Sequence, residues 1–347
     1  MKYGSVCSGV EAATAAWHSL GWEPQWFSEI EKFPSAVLAH HYPDVPNHGD
    51  MTEFKEWPND PIELLVGGTP CQSFSVAGLR KGLDDPRGNL MLTYLAIAER
   101  YQPRWLVWEN VPGVLSSNRG RDFGTFLGAL GQIGYGFAYR VLDAQYFGVA
   151  QRRRRVFVVG YLGDWRRAAA VLFERESLSG YSAPSRDAGE KVADRFAPCV
   201  GSGKQNIGTL MANAGTKLWL GNQEALSGDY HILQPTLDKS KTPAVAFAQN
   251  QAGEVRENDV FNTLNTNSNA SGRNTPLLRN DMAVRRLTPI ECERLQGFPD
   301  NYTQIAWRNK LPENCPDGPR YKAMGNSMAV PVMRWIGERI NMVESTQ

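Results

Sequence analysis

Glu29, Cys71, Glu109 and Arg155 each stand at one end of a short apolar run in this chain. In GGTPCQSFSVAG, residues 67–78, Cys71 follows the run Leu64-Leu65-Val66, and Pro70 fixes the backbone in front of it. The text after it, SFSVAGLRKGLDDPRGN, is polar, basic and glycine-bearing. Such a setting favours thiolate, the form in which cysteine attacks. A lone cysteine also serves as a small buried hydrophobe, and residue type does not separate the two. Glu109 closes the run Trp105–Trp108 and is either a general acid, if burial raises its pKa, or a salt-bridge partner. In Gln151-Arg152-Arg153-Arg154-Arg155, strand alternation puts Arg153 and Arg155 on one face and Arg152 and Arg154 on the other.

A second constellation lies at the start. Val6-Cys7-Ser8-Gly9-Val10-Glu11 precedes an alanine-rich helical stretch, and the next apolar run ends at Glu29. A small-residue turn, a helix and an acid at the end of the following strand form the layout of a nucleotide-type site. Only one glycine of the usual fingerprint is present, and the carboxylate of Glu11 disfavours a pyrophosphate. An adenosyl ligand carrying a cationic sulfonium suits these residues better than a dinucleotide. The plain alternative is a turn and a solvated strand end.

Positioning these residues requires strands and helices, and the text to about residue 162 alternates them. Strands are predicted at Tyr3–Val6, Gln25–Glu29, Glu63–Val66, Trp105–Trp108, Tyr139–Leu142 and Val156–Tyr161, and helices at Glu11–Leu20 and Asn89–Tyr101. The pattern is that of a parallel sheet covered by helices. From residue 163 the text turns to Gly, Ser, Asn and Thr, with NTLNTNSNASGRNTP as the extreme. Order returns at LTPIECERLQGF, a helix entered through Thr288-Pro289, and Ala329–Val343 reads as a closing helix.

Composition adds bounds. Lys and Arg total 37 against 36 Asp and Glu, so overall charge selects no partner. Five cysteines without a CxxC argue against a disulfide frame or zinc site, and each is expected to be a free thiol. The N-terminal text has no signal-peptide pattern, and no run reaches the roughly 18 apolar residues of a membrane span. A soluble cytoplasmic protein without a membrane partner is expected.

Eight blocks now carry a resemblance: SVCSGVEAA, Glu29, Gly49-Asp50-Met51, GGTPCQSFSVAG, WENVPGVL, QRRRRVFVVG, RRLTPIECERLQGFPDNY and YKAMGNSMAVP. In content and order they resemble the bacterial and phage DNA (cytosine-5)-methyltransferases. The resemblance implies an α/β fold: an S-adenosylmethionine-dependent methyltransferase (Rossmann-like) sheet with helices on both faces, plus a smaller irregular target-recognition domain. It divides the chain into a catalytic domain at 1–162 and 322–347, a DNA-reading region at 163–284 and a connecting segment at 285–321. It implies methyl transfer from S-adenosyl-L-methionine to C5 of cytosine in double-stranded DNA, on a base flipped from the helix. S-adenosyl-L-homocysteine is the product, and no metal is required. Cys71 would add to C6, Glu109 would hydrogen-bond N3, Arg155 would hold O2, and Arg153 would share their catalytic site. Cofactor contacts fall on Cys7, Gly9, Val10, Glu29, Ile30, Asp50, Met51, Pro70, Leu90, Asn326, Ser327 and Met328. DNA contacts fall on Gln72, Ser75, Arg87, Arg152, Arg154, Thr209 and Leu210. A monomer associated with the nucleoid is implied, with a restriction endonuclease as a functional rather than physical partner.

Two other functions fit part of this text. An RNA cytosine-5 methyltransferase would share the chemistry, although the long insert suits a duplex-reading domain better. A DNA-binding homologue without catalysis would not need Cys71, Glu109 and Arg155 together.

Overall fold

The computed structural model describes residues 1–70, 90–173 and 287–346, together with the backbone of four strands between 244 and 286. Six strands form the main sheet: β1 (Lys2–Val6), β2 (Glu23–Ser28), β3 (Leu64–Gly67), β4 (Trp105–Asn110), β5 (Tyr135–Asp143) and β6 (Arg154–Leu162), in the order β2-β1-β3-β4-β6-β5. The helices are α1 (Ala12–Trp17), α2 (Lys32–His41), α3 (Leu90–Tyr101), α4 (Arg121–Gln132), α5 (Trp165–Leu172), α6 (Pro289–Gln296), α7 (Asp317–Asn326) and α8 (Val330–Glu344).

Strand alternation sorts the core into two layers. Leu64, Val66, Trp105, Val107, Phe157 and Val159 pack on one side of the sheet with α1, α6 and α8. Leu65, Leu106, Trp108, Val156 and Val158 pack on the other with α3 and α4. Because β4 is buried on both faces, its text is a continuous apolar run rather than an alternating one. Gly4 is required by space: a Cβ there would lie 2.2 Å from the Trp26 ring.

The sheet is not wholly parallel. β1, β2, β3 and β4 run parallel, whereas β6 is antiparallel to both β4 and β5. Residues 144–153, which join β5 to β6, are too few for the crossover that a parallel return needs. The chain therefore turns back as a hairpin. Asn110 pairs with Val156, so the start of β6 arrives at the edge where β4 ends. The reversal thus carries Arg155 to Glu109.

The expected domain limits also move. Beyond residue 162, α5 packs on the main sheet: Ala168, Val171 and Leu172 are buried, and Arg339 of α8 donates from Nε to the Val171 carbonyl at 2.6 Å. The segment expected as a connector, 285–321, starts inside a strand, and beyond it Leu287, Cys292, Leu295, Phe298, Tyr302, Ile305 and Cys315 join the core beside α1 and α8. A capping box on Thr288 and Glu291 starts α6, with Pro289 as its first residue. Inside this return, buried Glu293 accepts from Thr303 N at 2.9 Å, from Thr303 Oγ1, and from Arg320 Nη2 at 3.1 Å.

Within the region expected to read DNA, β7 (Ala244–Gln249), β8 (Val255–Asn258), β9 (Leu277–Asn280) and β10 (Ala283–Arg286) form a second, antiparallel sheet in the order β10-β9-β7-β8. Among the described residues no helix is long and apolar enough to cross a membrane.

Candidate functional site

In the strand order β2-β1-β3 the chain leaves β1 in one direction and returns on its other side, opening a crevice at the carboxyl ends where α/β sheets take ligands. A recess of about 390 Å³, including the part open to solvent, occupies it. Its walls come from the end of β1 (Ser5, Cys7, Gly9), from Gly68 after β3, from Glu109 on β4, and from the C-terminal return at Asn326, Ser327 and Met328.

Gly9 takes a left-handed φ of 59°, and a Cβ there would meet open space. Its glycine is therefore needed for backbone conformation rather than for room. The turn points Gly9 N at Glu29, donating to Oε2 at 2.8 Å, while Glu31 N donates to Oε1 at 2.7 Å. Glu29 is buried, which raises its pKa against the pull of those two bonds. Ile30 beside it is 68% exposed, an apolar face next to a fixed carboxylate. Asp50 is exposed and caps the following turn through Thr52 N at 2.9 Å. Cys7 lies 3.5 Å from the Met51 sulfur, and burial, then Glu29 and Asp50, push its thiol up to about 12. It is a neutral wall of the recess.

Glu109 and Arg155 form the second half. Arg155 Nε lies 3.0 Å from Glu109 Oε1, with both side chains largely buried. Burial raises the Glu109 pKa while Arg155 and Arg153 pull it down, and burial prevails. The carboxyl is thus poised to hold a proton. A Cβ on Gly68 would lie 3.0 Å from both Glu109 Oε2 and the Met328 methyl, so a single glycine separates the acid from the C-terminal wall of the recess. Two bonds pin the chain just before Cys71 to the same strand: Trp108 Nε1 donates to Thr69 Oγ1 at 3.0 Å and Asn110 Nδ2 to the Thr69 carbonyl at 2.9 Å.

Arg153 stays within electrostatic reach of Glu109 and Arg155 but makes its hydrogen bonds elsewhere. It is 3% exposed and donates from Nη2 to the carbonyls of Ser327 at 2.6 Å and Gly325 at 3.3 Å. Burial and the neighbouring Arg155 lower its pKa to about 9, which leaves it charged at neutral pH. It holds the C-terminal wall, a positioning role. Gln296 shares the task, donating to the Met324 carbonyl at 2.7 Å.

The recess brings together Cys7, Gly9, Asn326, Ser327 and Met328 of the expected cofactor residues, with Glu29 bonded to its rim through Gly9. Val10 is in the core instead, its carbonyl accepting from Tyr302 Oη at 2.9 Å, and buried Met51 touches the recess through Cys7. Pro70 is exposed and half-buried Leu90 begins α3; neither lines the recess. Arg152 and Arg154 are half-buried at the approach to β6. Cys71, Gln72, Ser75, Arg87, Thr209 and Leu210 lie outside the described residues. Sequence reasoning missed Ser5 and Gly68 as walls, and Gln296 as a support. Gly68 had a signal in the Gly67-Gly68 pair; Gln296 had none, since its partner Met324 is distant in sequence.

Residues 1–342 match a family model described as C-5 cytosine-specific DNA methylase. An Escherichia phage P1 protein named DNA N-6-adenine-methyltransferase is 38% identical over 97% of the chain, which spans 61% of that relative's length. The Type II methyltransferase M.Sau3AI of Staphylococcus aureus is 29% identical over 97% of this chain and 93% of its own, and M1.ScrFI of Lactococcus lactis subsp. cremoris is 29% identical over 90% and 70%. Among solved structures, the Dnmt2 methyltransferase of S. pombe shares the fold at a TM-score of 0.60 and 15% identity, covering 99% of both chains.

Proposed function

The chain belongs to the C-5 cytosine-specific DNA methylases and is a DNA cytosine methyltransferase, and on that footing we propose how it works: it methylates C5 of a cytosine flipped out of double-stranded DNA, through a covalent bond between Cys71 and C6. The observation that carries this mechanism is the Glu109–Arg155 pair beside the recess, on the strand to which the segment leading into Cys71 is pinned.

Cytosine C5 is a poor nucleophile until a thiolate adds to C6 and makes the C5–C6 edge an enamine. Negative charge then develops at N3 and O2. Glu109, whose pKa burial raises, would donate to N3, and Arg155 would donate to O2, so that the charge meets donors already in place. After C5 has taken the methyl group, loss of the C5 proton to a base or water expels Cys71.

The recess fits S-adenosylmethionine. Glu29 is held by two backbone donors where ribose hydroxyls would meet it, Ile30 offers an apolar face to adenine, and among the described residues no basic side chain lines the walls to bind a polyphosphate. When bound, this cofactor supplies a methyl group activated as a sulfonium. Ser327, whose carbonyl Arg153 holds, and Met328 complete the wall. Residues 174–284, beyond α5, are proposed to read the target sequence, and Arg152, Arg154, Gln72, Ser75 and Arg87 to contact DNA.

Bisulfite sequencing of DNA from cells expressing the chain tests this directly. Protected cytosines at one recurring sequence are expected. Unprotected cytosines, with N6-methyladenine or methylated RNA instead, would overturn it; the adenine in the phage P1 protein's name is thereby tested too.

A further inference from the structure

Glu11 sits where a small residue would serve the turn. It is 1% exposed and adopts a left-handed φ of 63°, a conformation unfavourable for a side chain of this kind. Glu11 is one of the residues that line the recess. Oε2 accepts from Ser5 Oγ at 2.8 Å and Oε1 from Thr14 N at 3.2 Å. Both donors are neutral, and no hydrogen bond or ion pair among the described residues joins Glu11 to a basic side chain. Facing it are the phenols of Tyr3 on β1, Tyr42 after α2 and Tyr302 after α6, and the carboxyl of Glu29 after β2. Cys7 and Glu109 share the recess, Glu109 paired with Arg155 and flanked by Arg153. A buried carboxyl surrounded in this way lacks a counter-ion, and buried charges need one.

We propose that Glu11 is the counter-charge for the cationic cofactor, so that this chain prefers the sulfonium donor to the neutral thioether product. The inference rests on the recess being the S-adenosylmethionine site. Without ligand, burial holds the Glu11 pKa up to about 7 against the bonds from Ser5 and Thr14, and Glu29 adds to the rise. A cation entering the recess favours the ionised carboxylate and drives its proton off. Transfer of the methyl group leaves a neutral thioether, and the carboxylate takes a proton back. Donor binding and product release are thereby favoured by the same residue.

Calorimetric titration of the full chain with S-adenosylmethionine and with S-adenosylhomocysteine tests this, at pH 6 in two buffers of different ionisation heat. The donor is expected to release a substantial fraction of one proton and the product essentially none. The donor-to-product affinity ratio should rise by up to about tenfold between pH 5.5 and 7.5. In Glu11→Gln the ratio should lose this pH dependence, and donor affinity at pH 7.5 should fall roughly tenfold with product affinity unchanged. Equal proton release for the two ligands in the unmodified chain would overturn the inference, as would an unaltered ratio in the variant. The proton count needs no variant, so it decides even if Glu11→Gln does not fold. If neither ligand binds, the cofactor assignment itself fails.

Discussion

Replacing Glu11 by Gln keeps the shape of the side chain and removes its charge, which makes the stability of the ligand-free protein a measure of the electrostatics of the recess. In the folded state the carboxyl titrates at about 7, against an ordinary value of 4.5, chiefly because it is buried. Below pH 4.5 it is protonated whether the chain is folded or not. Between 4.5 and 7 the unfolded chain gives up the proton while the folded chain retains it, so rising pH favours unfolding; above 7 the difference is constant. The separation is roughly 2.5 pH units, at about 1.4 kcal/mol each, which is roughly 3–4 kcal/mol as an upper bound. The variant has no such titration. Its stability relative to the unmodified chain should therefore increase by up to roughly 3–4 kcal/mol from pH 4.5 to pH 8. Urea unfolding followed by the fluorescence of the ten tryptophans gives the midpoints, with the slope checked for constancy. A stability difference that stays flat across this range, or grows toward low pH, would refute the reasoning.

Two other outcomes follow from the same geometry. Arg320→Met leaves Glu293 buried without its cation and should cost about 3–5 kcal/mol, seen as a lowered thermal midpoint; pairing it with Glu293→Gln should recover much of the loss. Glu29→Ala should weaken S-adenosylmethionine binding by at least roughly tenfold in calorimetry while the circular dichroism spectrum is retained, since one charged hydrogen-bond acceptor contributes about 1.5–3 kcal/mol.

Much of the sheet is legible in the sequence because its strands are buried on both faces: Trp105–Trp108 and Val156–Tyr161 are apolar runs that nothing else explains. Direction is another matter, since apolar periodicity reads the same both ways. Only the short connection at 144–153 betrays the hairpin that reverses β6. Helix α4 escapes notice because Gly124, Gly128 and Gly131 lower its helical propensity, and α2 because Pro34 lies in its first turn. Helix α5 has local signals, an Asp164 cap and the amphipathic stretch WRRAAAVL, but they stand at the edge of the Gly-, Ser- and Asn-rich text and are easily read as part of it. At the site, Glu29 and Glu109 stand out as acids closing strands. The role of Arg153 does not, because its acceptors are carbonyls more than 170 residues away. The Glu293–Arg320 pair is equally silent, since neither residue breaks the local pattern of its own segment.

The central claim is the covalent bond from Cys71 to the target base, and trapping with a duplex carrying 5-fluorocytosine at the recognition site tests it most directly. Fluorine at C5 cannot leave as a proton does, so the complex should survive denaturing electrophoresis and should require S-adenosylmethionine. It should vanish in Cys71→Ser, whose hydroxyl is a far weaker nucleophile near neutral pH. Glu109→Gln should slow its formation without abolishing cofactor binding, because N3 loses its proton donor. Replacement of Cys199, Cys292 or Cys315 should leave trapping intact. An adduct that persists in Cys71→Ser, or that depends on one of those three cysteines, would contradict the mechanism even in a chain that methylates DNA.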